Sequence, residues 1–366
     1  MKILVVANMY PSAKDPVYGT FVKNFFEQVD KRNSGGSTTL CTIRGRRMGK
    51  FAKLSAYISY YLRLTGRLIF GKYDLVYVHT VAFPTPALRF ASLFRKLPLA
   101  FNAHGDDILP SNKFKRFLRD MSEPLLKKAR MIVVPSEYFR QVILSVFPGV
   151  DSSRIVKSPS GGLNRSFFRR KKSVSGAGEP LRLGFVSRID RGKGWNLFID
   201  LVMRLNQSGI KCSGIIAGRG AQTESMLEYI KSCDASDIVE YIGPQSHDKL
   251  PDLYSSFDLF IFPTMNASES LGLVGLEAMA AGTPVIASDM AGPKGYVVDG
   301  VNGYLFEPGN IDRLTDSVRK YAALSADEKL RMSDNAYRTA TEYESEKVAD
   351  ELFEHIKKAA EAAHNK

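Results

Sequence analysis

The sequence predicts an α/β protein of two parallel-sheet domains, and three observations carry that prediction. Short apolar runs at residues 2–7, 259–262 and 284–287 have the profile of buried parallel strands. Polar or glycine-bearing loops and then helix patterns follow the first two, as in a Rossmann-like unit. The 366 residues also exceed the roughly 250–300 at which single cores stop growing, and a basic, then small-residue stretch at 169–180 reads as a linker.

Composition narrows the class. Hydrophobic residues make up 44% and charged residues 24%, globular rather than disordered values. No apolar run reaches membrane-spanning length, and residues 1–7 are too short and unflanked for a signal peptide, so they read as the first strand of a soluble protein. Cys41, Cys212 and Cys233 lack metal-ligand spacing and read as reduced cytoplasmic thiols. His79, His104, His247, His355 and His364 include no pair at helical zinc-binding spacing, and no metal site is expected. The net charge of +13 is divided unevenly, +20 over residues 1–180 and −7 over 181–366, which points the first half at an anionic surface or substrate.

The first strand is followed by a polar loop with Pro11, Pro16 and Gly19 and then a helix from Phe21. Gly-x-Gly-x-x-Gly is missing there, which disfavours a dehydrogenase. Between Asp30 and Asp74 lie ten Lys or Arg residues and no acid. Within that run Phe51, Leu54, Ile58, Tyr61, Thr65 and Leu68 recur at spacings of three and four, giving a helix with one mostly apolar face. Such a helix suits an anionic membrane surface, or packs on its own sheet with its charges solvated; one helix can do both. Strands follow at 74–79 and 99–103, the second ending in His104-Gly105-Asp106-Asp107, where His104 has the placement of a pocket residue and the two acids could orient its ring or start a helix. Residues 131–135 and 154–157 complete the strands of this half, with Ser136 a candidate helix cap.

The second half opens with a strand at 181–186, then Ser187-Arg188-Ile189-Asp190-Arg191-Gly192-Lys193-Gly194 and a helix from Trp195. Two glycines with Arg188 and Lys193 at a strand-to-helix turn form a candidate phosphate cradle. Strands are expected at 213–217 and 238–242, a helix at 250–256, and helices at 311–324 and from 326 to about 358. The most informative stretch runs from 262 to 288. Its loop leads through Gly272 into a small-residue helix, so that Glu269 before the helix and Glu277 one turn inside it could border one pocket at the carboxyl ends of the strands.

Glu269 and Glu277 with seven residues between them, then Ala278-Met279-Ala280, Gly282, Pro284-Val285-Ile286-Ala287, Asp299-Gly300 and Gly303, resemble glycosyltransferase family 4, the retaining GT-B enzymes that take a nucleotide-sugar donor. The resemblance is strongest over 181–306 and present in outline before 160. It implies a GT-B fold, with two Rossmann-like domains facing a central cleft and a last helix crossing back. The domains would then be 1–168 on the acceptor side, joined by about 345–366, and 181–344 on the donor side, linked by 169–180. It implies a catalytic set of His104, at the donor sugar's outer hydroxyl, Arg188 and Lys193, on the diphosphate, and Glu269, on the sugar hydroxyls. It further implies donor binding by Gly19, Ser270, Leu271, Gly272, Leu273 and Val274, and by Glu277 at the ribose. Departures are Pro293-Lys294-Gly295, where the family often has an acid, and Ser160 and Leu163 in a segment where it has Pro-Asn-Gly-Val-Asp.

The expected reaction is sugar transfer with retention, without a metal or any cofactor beyond the donor, a uridine diphosphate sugar before a guanosine one. The basic first half points to a lipid-linked acceptor in glycan assembly and to peripheral attachment at the cytoplasmic face of a membrane. A nucleotide-sugar epimerase of the same fold and a transferase with a soluble acceptor are the alternatives. A nucleic-acid partner is disfavoured because no recognition motif accompanies the charge, and a non-enzymatic membrane protein would leave the two glutamates unexplained.

Overall fold

The computed structural model describes residues 1–16, 18–110, 112–171, 173–176 and 179–362. His364, and residues 172, 177 and 178 of the expected linker, lie outside the described residues. The chain divides into two compact units, Met1–Gly161 with Glu346–Lys366, and Gly162–Ser345.

In the first unit six strands, β1 (Lys2–Val6), β2 (Ser37–Cys41), β3 (Leu75–His79), β4 (Leu99–Asn102), β5 (Met131–Val134) and β6 (Ile155–Lys157), pair in the order β2-β1-β3-β4-β5-β6, all parallel. The central strands β3 and β5 are buried throughout because helices cover both faces of the sheet. Those helices are α1 (Thr20–Arg32), α2 (Lys50–Phe70), α3 (Thr85–Ala91), α4 (Lys113–Asp120), α5 (Glu123–Leu126) and α6 (Glu137–Val146).

The second unit repeats the plan. Strands β7 (Leu181–Val186), β8 (Cys212–Ala217), β9 (Val239–Tyr241), β10 (Leu259–Phe262), β11 (Val285–Ser288) and β12 (Gly303–Phe306) form a parallel sheet in the order β12-β11-β10-β7-β8-β9. Its helices are α7 (Trp195–Gln207), α8 (Thr223–Ser232), α9 (Leu250–Ser255), α10 (Leu273–Ala280), α11 (Ile311–Ala322) and α12 (Ala326–Thr341). The helix expected from 326 to about 358 is interrupted at 342–344, and α13 (Ser345–Glu361) continues in the first unit. There Val348, Leu352, Phe353, Ile356, Ala359 and Ala360 are buried, the last five among the side chains of β1, β3, β4 and β5. Arg32 of α1 holds the start of α13 through Glu346 and Asp350, each at 2.7 Å.

The boundary between the units falls at 161/162 rather than after residue 168. Leu163 N–H donates to Tyr343 O at 2.6 Å, Ser345 N–H donates back to Leu163 O at 2.9 Å, and Phe167 is buried in the second core. These bonds bind residues 162–168, and Arg169 N–H at Ala280 O, to the second unit.

Helix α2 divides the expected stripe. Its packed residues are Tyr60, Leu64 and Leu68, so Leu68 of that stripe is buried, whereas Phe51, Leu54 and Ile58 are 89%, 59% and 51% exposed. The reason is register: Tyr60, Leu64 and Leu68 repeat every four residues and follow one side of the helix, away from the Phe51 side. The cations of the run also divide. Arg63 and Arg67 donate to Thr42 O and Leu40 O at 3.2 and 2.8 Å, tying α2 to the β2 edge, and Arg46 pairs with Asp15 at 3.5 Å.

Candidate active site

The second unit gathers most of the implied donor-binding residues at the carboxyl ends of its strands. Two turns and one helix position depend on glycine. Gly272 begins α10 at φ 80°, where a Cβ would lie 2.5 Å from the Phe262 ring, and Gly194 begins α7 at φ 78°, where a Cβ would lie 2.1 Å from Pro263 O. Gly275, inside α10, leaves the space taken by the Tyr296 hydroxyl, which donates to Gly272 O at 2.9 Å and fixes the turn. The first amides of α10, on Leu273 and Val274, have no protein acceptor among the described residues, so the helix start offers N–H groups to an anion. Leu271 is buried beneath the turn, and Leu273 and Val274 are half-buried.

Two carboxylates flank this helix start in different surroundings. Glu269 pairs with the Lys193 ammonium, and the two side chains are only 17% and 12% exposed. The loop bearing Glu269 is held by its own backbone, with Glu269 N–H donating to Asn266 O at 3.0 Å and Gly292 N–H donating to Glu269 O at 2.9 Å. Glu277 accepts the Tyr254 hydroxyl at 2.9 Å. Burial raises the Glu277 carboxyl above its ordinary value, while the Tyr254 bond and His247 work in the other direction. Arg188 stands apart from this group: it is 73% exposed and paired with Asp190 at 3.0 Å. Arg188 and Lys193, the cations of the expected phosphate cradle, both have carboxylate partners, which an anionic ligand would have to displace. Ser270 lies between Glu269 and the helix start.

In the first unit, Gly19 begins α1 at φ 77°, where a Cβ would lie 2.8 Å from Tyr10 N. Two residues on, the Phe21 ring lies 4.9 Å from the His104 ring, so the Gly19 turn and His104 come into one neighbourhood. Neither Asp106 nor Asp107 holds the His104 ring by a hydrogen bond. Asp106 pairs with Lys115, and Asp107 accepts the backbone N–H groups of His104, Gly105 and Val81 at 3.0, 2.9 and 2.9 Å, making it the organiser of the loop. The ring's partner is His79, at the end of the adjacent strand β3: Nδ1 of His79 and Nε2 of His104 are 3.1 Å apart, and the rings stack at 12°. Burial holds both imidazoles below their ordinary value, with Asp107 opposing this at His104.

His79 Nε2 is buried without a hydrogen-bond partner. An orphaned lone pair costs less than an orphaned N–H, so the pair is best satisfied with the His79 proton on Nδ1, donated to His104, and the His104 proton on its own Nδ1. Beside the pair, Thr80 is β-branched yet sits at φ 69°, with its N–H on Asn102 O at 3.2 Å and its hydroxyl on Asn8 at 3.4 Å. Such backbone strain costs on the order of 1–3 kcal/mol and persists only where neighbours hold it.

His79 and Tyr254 were absent from the sequence-derived site. His79 had a usable signal, because it and His104 lie at the carboxyl ends of two successive apolar runs. Tyr254 had none, being one aromatic in a short helix whose partner lies 23 residues away.

Residues 167–339 match the family model described as glycosyl transferases group 1, and residues 21–161 match that of glycosyltransferase family 4. The chain is similar to the 2-deoxystreptamine N-acetyl-D-glucosaminyltransferase of Niallia circulans, 27% identical over 68% of this chain and 67% of that protein. It is also similar to the D-inositol 3-phosphate glycosyltransferase of Mycobacterium tuberculosis, 31% identical over 63% of this chain; the match spans about half of that protein, 48%. Among solved structures it resembles Anabaena Alr3699/HepE in complex with UDP and glucose, with a TM-score of 0.73, 18% identity, and 98% and 100% of the two chains covered. Sucrose-phosphate synthase from Thermosynechococcus elongatus superposes with a TM-score of 0.75 at 15% identity, over 99% and 100% of the chains.

Proposed function

We propose, for a chain that belongs to the group 1 and family 4 glycosyltransferases of the GT-B type, that it moves a sugar from a uridine diphosphate sugar to an acceptor held at an anionic membrane surface, with retention at the anomeric carbon. The observation that carries the donor half is the placement of Lys193, Glu269, the α10 start and Glu277 within one sheet end. Glu277 accepts from ribose hydroxyls, and the α10 amides meet the phosphate or the sugar. Lys193 exchanges its Glu269 partner for the diphosphate, which leaves Glu269 to accept the sugar hydroxyls. Uridine is preferred because the HepE neighbour binds UDP and UDP-glucose. For His104, the family resemblance implies a role at the sugar's outer hydroxyl, and Nδ1 is the ring nitrogen that its bond to His79 leaves free to donate.

In the transfer the bond from the anomeric carbon to the diphosphate oxygen breaks and the acceptor oxygen bonds to the same face. The acceptor proton passes to the departing phosphate. Negative charge grows on the diphosphate, and Lys193 and the α10 amides stabilise it, joined by Arg188 once it leaves Asp190, so the step needs no divalent ion. Saturating UDP, at a hundred times its dissociation constant, stabilises by about 2.7 kcal/mol and raises the melting temperature by several degrees. Guanosine and adenosine diphosphates are expected to give less, and transfer is expected to continue in EDTA. Loss of activity on chelation with recovery in manganese would refute metal independence. Interconversion of the donor sugar without an acceptor would establish the epimerase instead.

The acceptor half rests on α2. Met48, Phe51, Leu54, Ile58 and Leu62 are 51–89% exposed and share this segment with Arg47, Lys50 and Lys53. A side chain of this kind is worth about 1.5–3 kcal/mol on full burial and a cation near an anionic surface about 1 kcal/mol. No helix among the described residues is long and apolar enough to cross a membrane, so attachment here is interfacial. Vesicles containing phosphatidylglycerol should sediment the protein at low salt and release it as salt rises. Changing Arg47, Lys50 and Lys53 to Gln should abolish sedimentation. Equal sedimentation of both proteins, or none, points to a soluble acceptor like those that the relatives' names describe, such as inositol 3-phosphate.

A further inference from the structure

The amino-terminal ends of β4, β5 and β6 open into a basin of about 1330 Å³, bounded on one side by the last turns of α13. His104 follows the carboxyl end of β4, so the basin lies at the opposite end of the same sheet. Eight Lys and Arg side chains line it, together with His355, and no Asp or Glu does. Two of the eight are neutralised by acids outside the lining, Lys127 by Glu123 at 2.9 Å and Arg154 by Asp151 at 3.3 Å. The other six have no ion pair among the described residues.

Two of those six are fixed in place. Nη1 of Arg95 donates to Gly71 O at 2.6 Å and Ile69 O at 3.3 Å, and Nη1 of Arg130 donates to Asp74 O and Ala359 O, each at 3.0 Å. Carbonyl oxygens orient a guanidinium without neutralising it, although at Arg130 the nearby Asp74 carboxylate, outside the lining, offsets part of the charge. Nε and Nη2 of both arginines have no protein acceptor among the described residues, and exposed Lys96, Lys128 and Lys358 stand around them. A solvated convex face disperses such charges; a concavity concentrates them, and an anion with several oxygens satisfies both the field and the free N–H groups.

We propose that this basin binds a ligand carrying two or more phosphate groups, or a cluster of phosphate headgroups, at a site separate from that of the nucleotide sugar. The inference does not depend on the transfer reaction. Its test is calorimetric titration of the full chain with sodium tripolyphosphate at low salt, with UDP present in excess to occupy the donor site. One saturable site is expected. The variant with Lys96→Gln, Lys128→Gln and Lys358→Gln should weaken binding by about tenfold or more, because three unpaired cations are lost. A control with Lys211→Gln, Lys231→Gln and Arg313→Gln removes the same charge from exposed positions elsewhere and should change it by less than about twofold. Vesicles of phosphatidylglycerol decide the source: displacement of tripolyphosphate assigns lipid headgroups, and retention assigns a free polyphosphate. Absence of saturable binding, or equal weakening in both variants, would overturn the proposal.

Discussion

Replacing Glu269 with glutamine should lower turnover by about 10- to 150-fold while UDP binds as tightly as before or more tightly. The first part follows from the worth of a hydrogen bond to a charged partner, about 1.5–3 kcal/mol, when that partner meets the sugar in the transition state. The second follows from the ion pair. Glu269 neutralises Lys193 in the free protein, and both side chains are largely buried, so a diphosphate has to compete with the carboxylate for the ammonium. Glutamine keeps the shape of the loop and removes the competitor. Lys193→Met should do the reverse, weakening UDP and leaving a buried carboxylate without its cation. The measurement is a pair of UDP titrations and a pair of kcat and KM determinations. If Glu269→Gln loses UDP affinity along with turnover, the glutamate is holding the loop rather than the sugar.

The residues that were legible in the sequence share a property, which is that local chain geometry explains them. Gly272 and Gly194 were readable because a strand-to-helix turn demands positive φ, and their neighbours leave no room for a Cβ. The strands at 2–7, 131–135 and 259–262 were readable because both faces are covered and the runs are continuously apolar. Strand β2 escaped notice because it is an edge strand, Ser-Thr-Thr-Leu-Cys, whose polar residues need only one covered side. Which way the Phe51 stripe of α2 faces stayed open, because periodicity gives the faces of a helix without saying which one the sheet takes. The partners of the site residues were the least legible: Lys193 with Glu269 spans 76 residues, and His79 with His104 spans 25. Such pairs are set by the strand order of the sheet, which short-range patterns do not encode.

Glu277→Gln should make the protein more stable and a poorer binder of UDP, and these opposite signs are what identify its role. Burial raises the Glu277 carboxyl above its ordinary value, so the folded chain holds this proton more tightly than the unfolded chain does. Below the unfolded value, near pH 4.3 for an ordinary glutamate, the carboxyl is protonated in both states and that preference favours the fold. As pH rises through the higher folded value, the group ionises in a place that disfavours charge, and this contribution to stability is lost. The variant is free of that loss. Its melting temperature should therefore exceed that of the wild type at pH 7.5 and the gap should close as pH falls to about 4. Tyr254 keeps an acceptor, because the glutamine carbonyl can take the hydroxyl that Glu277 Oε2 takes at 2.9 Å. Two ribose hydroxyls, however, meet one acceptor and one N–H donor where they had met two acceptors, and UDP affinity should drop by about 5- to 150-fold at 1–3 kcal/mol for the unmade bond. In the wild type the same affinity should begin to fall on acidification at a higher pH than an exposed glutamate would give. A variant that melts lower than the wild type at pH 7.5, or binds UDP equally well, would remove Glu277 from the donor site and make its bond to Tyr254 a packing contact.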